Sequence, residues 1–473
     1  MIDFSSGPRV YCVGIKGTGM AALAEYCRHA GAHVEGSDVE EVFYTDAILK
    51  SLNIPVHAPF KRENLPSRID HLFYSAAYDA KNNPELAEAE KRGLRCMSYP
   101  EALGLISRGQ PTGAVAGVHG KTTTTAMAGT MAQAARLPVG VIAGSAVSNF
   151  DDRSCLFLGD RGLIAETCEY RRHFLNVSPR WLIVTSIEPD HLDYYFDYND
   201  ILSAFIEYAL KLPRKGCLIY CADDPGAAEL ARKVQSMRDD LRLVPYGFSA
   251  QGNYRIRDYQ VGDEYLAADV AGFAVPLILR IPGRHTVLNA VAAAALVICM
   301  GDDLGIQLDQ EKLLKGCEAF RGSKRRSEIL GAAGGVLFMD DYAHHPTAIK
   351  TTLRGLREFY PNRRIVVDFM SHTYSRTAAL LEGFISAFGD ADELILHDIY
   401  ASAREHAGGI TGEELFLRTA ARHRSVRYYP EPAEAIEDLE SFLAPGDLFV
   451  TMGAGNNWIV SHELYERRKG RTE

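Results

Sequence analysis

The sequence lacks the features that mark several large classes of protein. It has 51 Lys and Arg against 61 Asp and Glu, a formal net charge of −10, so binding to nucleic acid through a general positive field is not expected. No basic patch followed by an apolar run stands near the N-terminus, so we predict no signal peptide. The longest apolar helix-like run, Ala290 to Met300, is about half of what a bilayer requires. We therefore expect a cytoplasmic protein with no membrane insertion.

Cysteine is present but not in the pattern of a disulfide framework or a zinc site. The nine cysteines are odd in number and scattered. The only close pair, Cys217 and Cys221, has no second pair and no nearby histidines to complete a tetrahedral site. We predict reduced, partly buried thiols in a cytosolic protein.

The length of 473 residues is too great for one ordinary core. Short apolar strands alternate with helical stretches in three blocks, 1–106, 107–320 and 321–473, which predicts an α/β protein with parallel sheets. The last block shows the alternation most clearly, with strand candidates at Val336–Met339, Ile365–Phe369, Leu394–His397, Val426–Tyr429 and Leu448–Met452. Polar or glycine-rich loops follow three of these strands, and we expect them to line one cleft at the carboxyl edge of the sheet.

The strongest motif is a glycine-containing loop between a strand and a helix. Its residues are Gly117, Val118, His119, Gly120, Lys121, Thr122 and Thr123. Glycines let backbone amides close on phosphates, a lysine reaches the outer phosphates, and a threonine hydroxyl can bind Mg²⁺. Val115 stands where the strict pattern has another glycine, but strand, turn, Lys-Thr pair and helix agree. The loop predicts an ATP-binding site.

Carboxylates and a histidine follow two strands of the same block. Glu166–Glu169 comes after one strand, and Glu188–His191 comes after the next. Carboxylate and imidazole ligands suit Mg²⁺ or Mn²⁺ that bridges phosphates. These segments predict a metal site beside the phosphate loop.

Three other polar segments and the N-terminal glycines leave alternatives open. The basic run Lys324–Arg326 is either a phosphate clamp or a solvated face. The segments Asp340–Pro346 and His372–Thr377 could supply metal ligands, hydrogen-bond donors to a substrate, or only helix starts. The N-terminal turn Gly14–Gly19 has Lys16 where the dinucleotide fingerprint needs glycine, and Asp38 suits a ribose contact. That turn fits a nicotinamide cofactor as well as a UDP-sugar diphosphate.

Taken together and in chain order, these segments resemble the Mur ligase family, and within it the members that join L-alanine to UDP-N-acetylmuramate. Further segments that carry the resemblance are Gly36–Asp38, Asp190–Asp193, Pro282–His285 with Asn289, and Thr451–Gly455. The resemblance implies a Rossmann-like N-terminal domain for the UDP substrate, a central P-loop ATPase-type domain, and a Rossmann-like C-terminal domain for the amino acid. It also implies an acyl phosphate, formed from ATP, that the amine of L-alanine attacks, in the synthesis of peptidoglycan precursors.

The resemblance assigns roles to individual residues. For ATP it implies the seven loop residues with His285, Asn289 and Arg326. For the metal it implies Thr122, Glu169 and His191. For the UDP substrate it implies Gly14, Gly17, Thr18, Gly19, Ser37 and Asp38. For the amino acid and the reacting carboxyl it implies His344, His372 and Arg376, so that the catalytic set is Lys121, Glu169, His191, His344 and Arg376.

Four other functions compete with this interpretation. A recycling ligase would add a preformed tripeptide to the same nucleotide, and folylpolyglutamate synthetase shares the ATPase plan. A nicotinamide-dependent oxidoreductase would not require the phosphate loop. A nucleotide-switch protein would hydrolyse ATP without any amino acid.

Overall fold

A computed structural model describes residues 2–191, 194–262, 264–401 and 409–470. The chain falls into two compact units. The first comprises Met1–Asp258, Asp269–Leu277 and Leu288–Ala319, and the second comprises Tyr259–Ala268, Ile278–Val287 and Phe320–Glu473. The domain boundaries predicted from the sequence, at 106 and 320, stay a prediction.

The first sheet of the N-terminal block is parallel throughout, with the strand order β3-β2-β1-β4-β5. Its strands are β1 (Arg9–Val13), β2 (His33–Ser37), β3 (Val56–His57), β4 (His71–Tyr74) and β5 (Cys96–Ser98). The helices are α1 (Thr18–His29), α2 (Thr45–Ser51), α3 (Pro84–Lys91) and α4 (Tyr99–Ser107). The glycine turn predicted as a phosphate contact joins β1 to α1, at the edge where doubly wound sheets bind ligands.

The central sheet has seven strands in the order β12-β11-β10-β6-β9-β7-β8, all parallel except β8. They are β6 (Thr112–Ala116), β7 (Gly140–Val147), β8 (Arg153–Phe157), β9 (Leu163–Glu166), β10 (Trp181–Val184), β11 (Cys217–Cys221) and β12 (Arg242–Tyr246). The helices are α5 (Lys121–Ala134), α6 (Tyr198–Leu210) and α7 (Pro225–Met237). Its middle strands are fully buried runs of apolar residues, as expected for a sheet covered on both faces. β6 lies between β9 and β10, so the phosphate loop and both carboxylate segments follow adjacent strands.

A small sheet and two helices complete the middle of the chain. The sheet has the order β13-β14-β15, and the elements are β13 (Ile256–Gly262), β14 (Tyr265–Val270), β15 (Leu277–Leu279), α8 (Arg284–Leu304) and α9 (Gln310–Glu318). Within the described residues α8 alone is long and apolar enough to cross a membrane, but 72% of its most apolar 18-residue window is buried inside the protein. Leu296 and Met300 pack over Gly113 of β6, where an added Cβ would lie 2.9 Å from the Leu296 side chain. This helix is therefore part of the core of the central sheet.

The C-terminal sheet has the order β16-β17-β21-β18-β19-β20. The strands are β16 (Glu328–Ala333), β17 (Val336–Asp341), β18 (Arg364–Met370), β19 (Glu393–Leu396), β20 (Val426–Tyr428) and β21 (Asp447–Gly453). The helices are α10 (Pro346–Phe359), α11 (Tyr374–Ala379), α12 (Leu381–Ile385), α13 (Gly412–Ala420), α14 (Ile436–Phe442) and α15 (Trp458–Lys469). The five predicted strands are present and pair parallel with one another.

The prediction of strands missed β16, which pairs antiparallel with β17. Gly334 and Gly335, both with positive φ, form the tight turn between the two strands, and such backbone is open to glycine at little cost. The three predicted ligand-binding loops follow β17, β21 and β18, which are neighbours in the sheet.

Candidate functional site

The phosphate loop is held in shape by the strand beside it. The Val118 amide donates to the Ser186 carbonyl at 3.0 Å, and the His119 amide donates to the Ser186 hydroxyl at 3.0 Å. Gly117 and Gly120 have φ of 135° and 79°. A Cβ at Gly117 would lie 2.0 Å from a Thr185 oxygen, so a side chain fits here neither by conformation nor by space. The loop is therefore a fixed cradle of backbone, as phosphate binding requires.

Lys121 and Glu169 form a buried ion pair at the mouth of this loop. The Lys121 Nζ lies 3.0 and 2.9 Å from the two Glu169 carboxylate oxygens and also donates to the Gly117 carbonyl at 2.6 Å. Burial opposes the charge on Lys121, but the carboxylate outweighs it and the pKa of Lys121 is raised. Burial likewise opposes the charge on Glu169, yet Lys121 and His191 together hold the pKa of Glu169 below its ordinary value. Both side chains are thus charged, and the cation is held next to the cradle.

His191 lies against the same carboxylate. Its Nε2 is 3.4 Å from Glu169 Oε1, and its ring packs 4.9 Å from the ring of Tyr170. The φ of His191 is 53°, a left-handed conformation that is uncommon outside glycine and is worth a functional hypothesis. Leu192 and Asp193, which contributed to the family resemblance, lie outside the described residues. The two predicted metal ligands Glu169 and His191 are therefore adjacent.

Glu166 is a further residue of the site, within the segment Glu166–Glu169 but outside the predicted metal ligands. The Thr122 hydroxyl donates to Glu166 Oε1 at 2.9 Å, and the Gly144 amide donates to Glu166 Oε2 at 2.6 Å. Glu166 is the last residue of β9, next to β6, so the position of the strand end was the available signal. The structure thus places the carboxylate of Glu166, in addition to that of Glu169, at the phosphate loop, in contact with the predicted metal ligand Thr122.

Two more residues complete the surroundings of the loop. The ring of His119 hydrogen-bonds to the Glu188 carboxylate. Asn289 lies against Gly120, where an added Cβ would be 2.5 Å from the Asn289 Oδ1. Asn289 therefore lies at the loop, and its contact with ATP stays a prediction. His285 lies in the first turn of α8, within the other compact unit, and Thr123 continues α5.

The N-terminal glycine turn is braced from within its own domain. The amides of Gly14 and Ile15 donate to the Ser37 carbonyl, and the Asp38 carboxylate accepts from the amides of Lys16 and Val39 at 2.6 and 2.8 Å. The Ser37 hydroxyl donates to the buried carboxylate of Glu85. Ser37 and Asp38 thus shape the turn.

The lysine that departs from the dinucleotide fingerprint has a clear structural use. The Lys16 Nζ donates to the carbonyls of Val39 and Glu41 at 3.0 and 2.8 Å and pairs with Asp46 at 3.2 Å. It therefore pins the segment after β2. Gly17, Thr18 and Gly19 begin α1, and the Thr18 hydroxyl accepts from the Tyr44 hydroxyl at 3.0 Å. Roles of the turn residues toward a UDP substrate stay predictions.

In the basic run before β16, Arg325 pairs with a buried carboxylate. Arg325 turns inward, with its Nε 3.0 Å from Asp340 Oδ2 and an Nη donating to the Gly453 carbonyl at 2.8 Å. Burial raises the pKa of Asp340 to about 6, although Arg325 opposes the rise. The guanidiniums of Arg325 and Arg326 both lie over the ring of Tyr342, at 5.2 and 4.8 Å from its centroid. Arg325 is thus structural, and the phosphate-clamp role of Arg326 stays a prediction.

The three residues predicted to face the amino acid lie on two loops at the carboxyl edge of the C-terminal sheet. His344 Nδ1 hydrogen-bonds to the Tyr342 carbonyl at 2.8 Å, which fixes its ring after β17. His372 stacks on Tyr400, with ring centroids 5.9 Å apart. Arg376 lies on the short helix α11 after β18 and is half-buried. The loops after β17 and β18 flank the loop after β21, so these side chains belong to one edge of the sheet.

The donor chemistry in the first unit fits a nucleotide with a divalent metal. The glycine cradle leaves no room for side chains, and Lys121 is held charged beside it. A hydroxyl, two carboxylates and an imidazole stand around it, on Thr122, Glu166, Glu169 and His191. Such oxygen and nitrogen ligands suit Mg²⁺ or Mn²⁺.

Family models match in three successive segments: "Mur ligase family, catalytic domain" at residues 9–110, "Mur ligase middle domain" at 115–297, and "Mur ligase, glutamate ligase domain" at 325–455. A protein of Treponema pallidum named UDP-N-acetylmuramate–L-alanine ligase is 50% identical over 97% of this chain and 96% of its own. A protein of the same name from Borreliella afzelii is 37% identical over 97% and 99%. The solved structure of UDP-N-acetylmuramate-alanine ligase from Thermotoga maritima is 26% identical, with a TM-score of 0.77 over 98% of this chain and 99% of that one.

Proposed function

The chain belongs to the Mur ligase family, and we propose that it joins L-alanine to the lactyl carboxylate of UDP-N-acetylmuramate in an ATP-dependent reaction. The observation that carries this proposal is the 50% identity, over 97% of the chain, to a ligase of that name. The structural support is the charged Lys121 beside a glycine cradle, with metal-type ligands around it. The product is a precursor of peptidoglycan, and we assign the enzyme to the cytoplasm.

Activation of the carboxylate takes place at the phosphate loop. A carboxylate is a poor acyl donor until phosphorylation turns one of its oxygens into part of a leaving group. The lactyl carboxylate attacks the γ-phosphate, ADP leaves, and an acyl phosphate forms. Catalysis of such a transfer is mostly positioning and charge stabilisation. The loop amides orient the phosphates, and Lys121 leaves Glu169 to neutralise charge on the transferred group.

A divalent metal would be held by residues that lie together around the phosphate loop. Thr122, Glu169 and His191 are the ligands that we propose, and Glu166 orients Thr122 or joins the set. Bound Mg²⁺ or Mn²⁺ would neutralise phosphate oxygens and polarise them as a Lewis acid. Because Lys121 pairs with Glu169, a metal bound by Glu169 and a phosphate bound by Lys121 would both compete with this ion pair.

Transfer to the amino acid takes place at the loops of the C-terminal sheet. The amine of L-alanine attacks the acyl phosphate and passes through a tetrahedral intermediate, and phosphate leaves as the amide forms. The carboxylate of L-alanine does not react and has to be held, and the fork of Arg376 is suited to both of its oxygens. His344 and His372 line the same edge as hydrogen-bond donors.

One experiment tests the proposal against its nearest rivals. The protein is mixed with UDP-N-acetylmuramate, ATP and Mg²⁺, single amino acids or the tripeptide L-alanyl-γ-D-glutamyl-meso-diaminopimelate are added, and phosphate release and the ligated product are measured. We expect L-alanine to support turnover and the tripeptide not to. Preference for the tripeptide would make the chain a recycling ligase, and ATP hydrolysis independent of any acceptor would contradict a ligase altogether.

The acyl phosphate has its own test. Without L-alanine, borohydride should reduce a small pool of phosphorylated UDP-N-acetylmuramate to the corresponding alcohol. Absence of the alcohol, with the full reaction still active, would contradict a phosphorylated intermediate.

A further inference from the structure

A buried ion pair lies directly beneath the loop that carries His372 and Arg376. Asp368 is on β18, His397 follows β19, and both side chains are fully buried. The His397 Nε2 is 2.9 Å from Asp368 Oδ2, and its Nδ1 is 2.8 Å from the Tyr429 carbonyl. The pair therefore joins the carboxyl ends of three neighbouring strands, β18, β19 and β20.

The remaining carboxylate oxygen extends the link to a fourth strand. The Asn457 amide, beyond the end of β21, donates to Asp368 Oδ1 at 2.8 Å and to the carbonyls of Asp368 and Met452 at 3.1 Å each. Both ring nitrogens of His397 face acceptors, which requires two N–H groups when Asp368 is ionised. Burial lowers the pKa of His397, but Asp368 outweighs it and the pKa is raised.

Stability alone does not account for such a pair. Desolvation of two charges offsets most of their attraction, and apolar residues of similar volume are often as stabilising or more so. The best-attested use of buried ionic groups is to fix register. Because the pair lies beneath the loop that carries His372 and Arg376, the strand ends that support this loop are what it would hold in register.

The backbone of the amino-acid loop is paired just beyond the ion pair. The Tyr400 amide donates to the Ser371 carbonyl at 2.8 Å, and the Thr373 amide donates to the Tyr400 carbonyl at 3.0 Å. His372, which lies between Ser371 and Thr373, stacks on the Tyr400 ring. Thr373 has φ 70° and ψ 132°, a conformation that residues other than glycine hold only when the surrounding structure imposes it. Tyr400, in the segment after β19 and three residues after His397, supplies that constraint.

We propose that Asp368 and His397, with Asn457, are positioning residues for the amino-acid acceptor. They lock the end of β19 onto β18, so that Tyr400 holds Thr373 strained and His372 and Arg376 face the substrate. The inference rests on the proposed function, because it takes those two side chains as the L-alanine site.

The test compares variants by steady-state kinetics and thermal unfolding. The double variant Asp368→Val/His397→Leu removes both charges together and so avoids leaving one buried alone. We expect it to unfold near the wild-type temperature, to raise KM for L-alanine at least tenfold, and to leave KM for ATP within twofold. Asp368→Asn retains hydrogen-bonding atoms toward both His397 and Asn457, and we expect its KM for L-alanine to stay much closer to wild type than that of the double variant.

A matched control lies at the other end of the same strand. Arg364 pairs with Asp447 at 2.7 Å at the amino end of β18, so Arg364→Leu breaks an ion pair of the same domain away from the loop. We expect KM for L-alanine to stay within twofold there. A stable double variant with wild-type KM, or an equal rise in the Arg364 variant, would overturn the inference.

Two outcomes keep the inference separate from the function on which it rests. If the double variant does not fold, His397→Gln carries the test, because it retains a donor for Asp368 and loses the link to Tyr429. We expect at least a threefold rise in KM, and an unchanged KM would count against the proposal. A wild-type protein that does not ligate L-alanine refutes the proposed function, whereas an active wild type with unaffected variants refutes only the positioning role.

Discussion

The ion pair between Lys121 and Glu169 allows catalysis and stability to be separated by one substitution. Lys121→Met removes the ammonium and keeps most of the apolar stem. The variant then contains the carboxylate of Glu169, which is 1% exposed, without its main counter-charge. The phosphate site also loses its lysine. Both effects arise from one atom, but they respond differently to a second change at Glu169.

The magnitudes follow from burial. Leaving one partner of a buried pair uncompensated costs about 3–5 kcal/mol, and His191, at 3.4 Å, places Lys121→Met toward the lower figure. Losing a placed charge stabiliser lowers the rate by roughly 10²–10³. The double variant Lys121→Met/Glu169→Gln removes both charges. Its free energy of unfolding should therefore regain most of the roughly 3 kcal/mol that Lys121→Met loses, while ligation stays lost.

The stability loss should also depend on pH. In the wild type the pKa of Glu169 is lowered. Its contribution to the free energy of unfolding is therefore present above the pKa of the unfolded state, about 4.3, and is lost as pH falls through the pKa of the folded state. In Lys121→Met burial acts with less opposition, the folded pKa rises, and the penalty grows as pH rises. The difference between the two proteins should therefore be large at pH 7 and small near pH 4.

Denaturant unfolding at both pH values and phosphate release with L-alanine measure the two effects. Lys16→Met is the matched control, since Lys16 is 6% exposed, lies on the other glycine turn and pairs with Asp46. Its KM for ATP should be unchanged. Ligation by Lys121→Met within tenfold of wild type would refute the catalytic role. Failure of the second substitution to restore stability would refute the buried-charge reasoning.

Three further predictions concern other parts of the protein. Burial raises the pKa of Asp340 to about 6, so the contribution of its protonated carboxyl to the free energy of unfolding is full below about pH 4. That contribution, about 3 kcal/mol, is lost as pH rises through 6. Asp340→Asn should therefore make the free energy of unfolding less dependent on pH over this range, and an unchanged pH profile would contradict the prediction. His191→Ala should raise the Mg²⁺ concentration for half-maximal activity at least tenfold, and full activity of chelator-treated wild type would remove the metal site. Arg376→Ala should weaken use of L-alanine at least tenfold while ATP and UDP-N-acetylmuramate bind normally; loss of ATP binding with normal L-alanine dependence would make Arg376 a phosphate clamp.

Local patterns predicted the parts of the site that depend on local geometry. A strand, a glycine turn and a Lys-Thr pair predicted the phosphate loop because all three are adjacent in the chain. The neighbourhood of Glu169 and His191 was also predictable, since parallel strands end at one edge of a sheet. The contact of Glu166 with Thr122 was not predictable from local pattern, because only the pairing of β9 with β6 brings the two residues together.

Other features depend on contacts that no local pattern shows. Which arginine of the basic run turns inward depends on the backbone of Arg325, whose φ is 59°. Asp368 and His397 interrupt two apolar strand regions 29 residues apart, so each looks like an isolated polar residue until the strands pair. The short edge strand β16 contains Gly331 and alanines, which carry little strand propensity.

The buried helix α8 has a consequence for how the chain is made. The central sheet is complete in sequence at Tyr246, but the side chains that cover Gly113 come from Leu296 and Met300. At about 5–20 residues per second of synthesis, the part of that sheet around Gly113 stays uncovered for several seconds. During this time the apolar segment that will cover it is still being synthesised. Chaperones and neighbouring nascent chains therefore meet the protein while this apolar surface is exposed, and a message truncated before codon 284 should yield aggregates instead of a smaller folded ATPase.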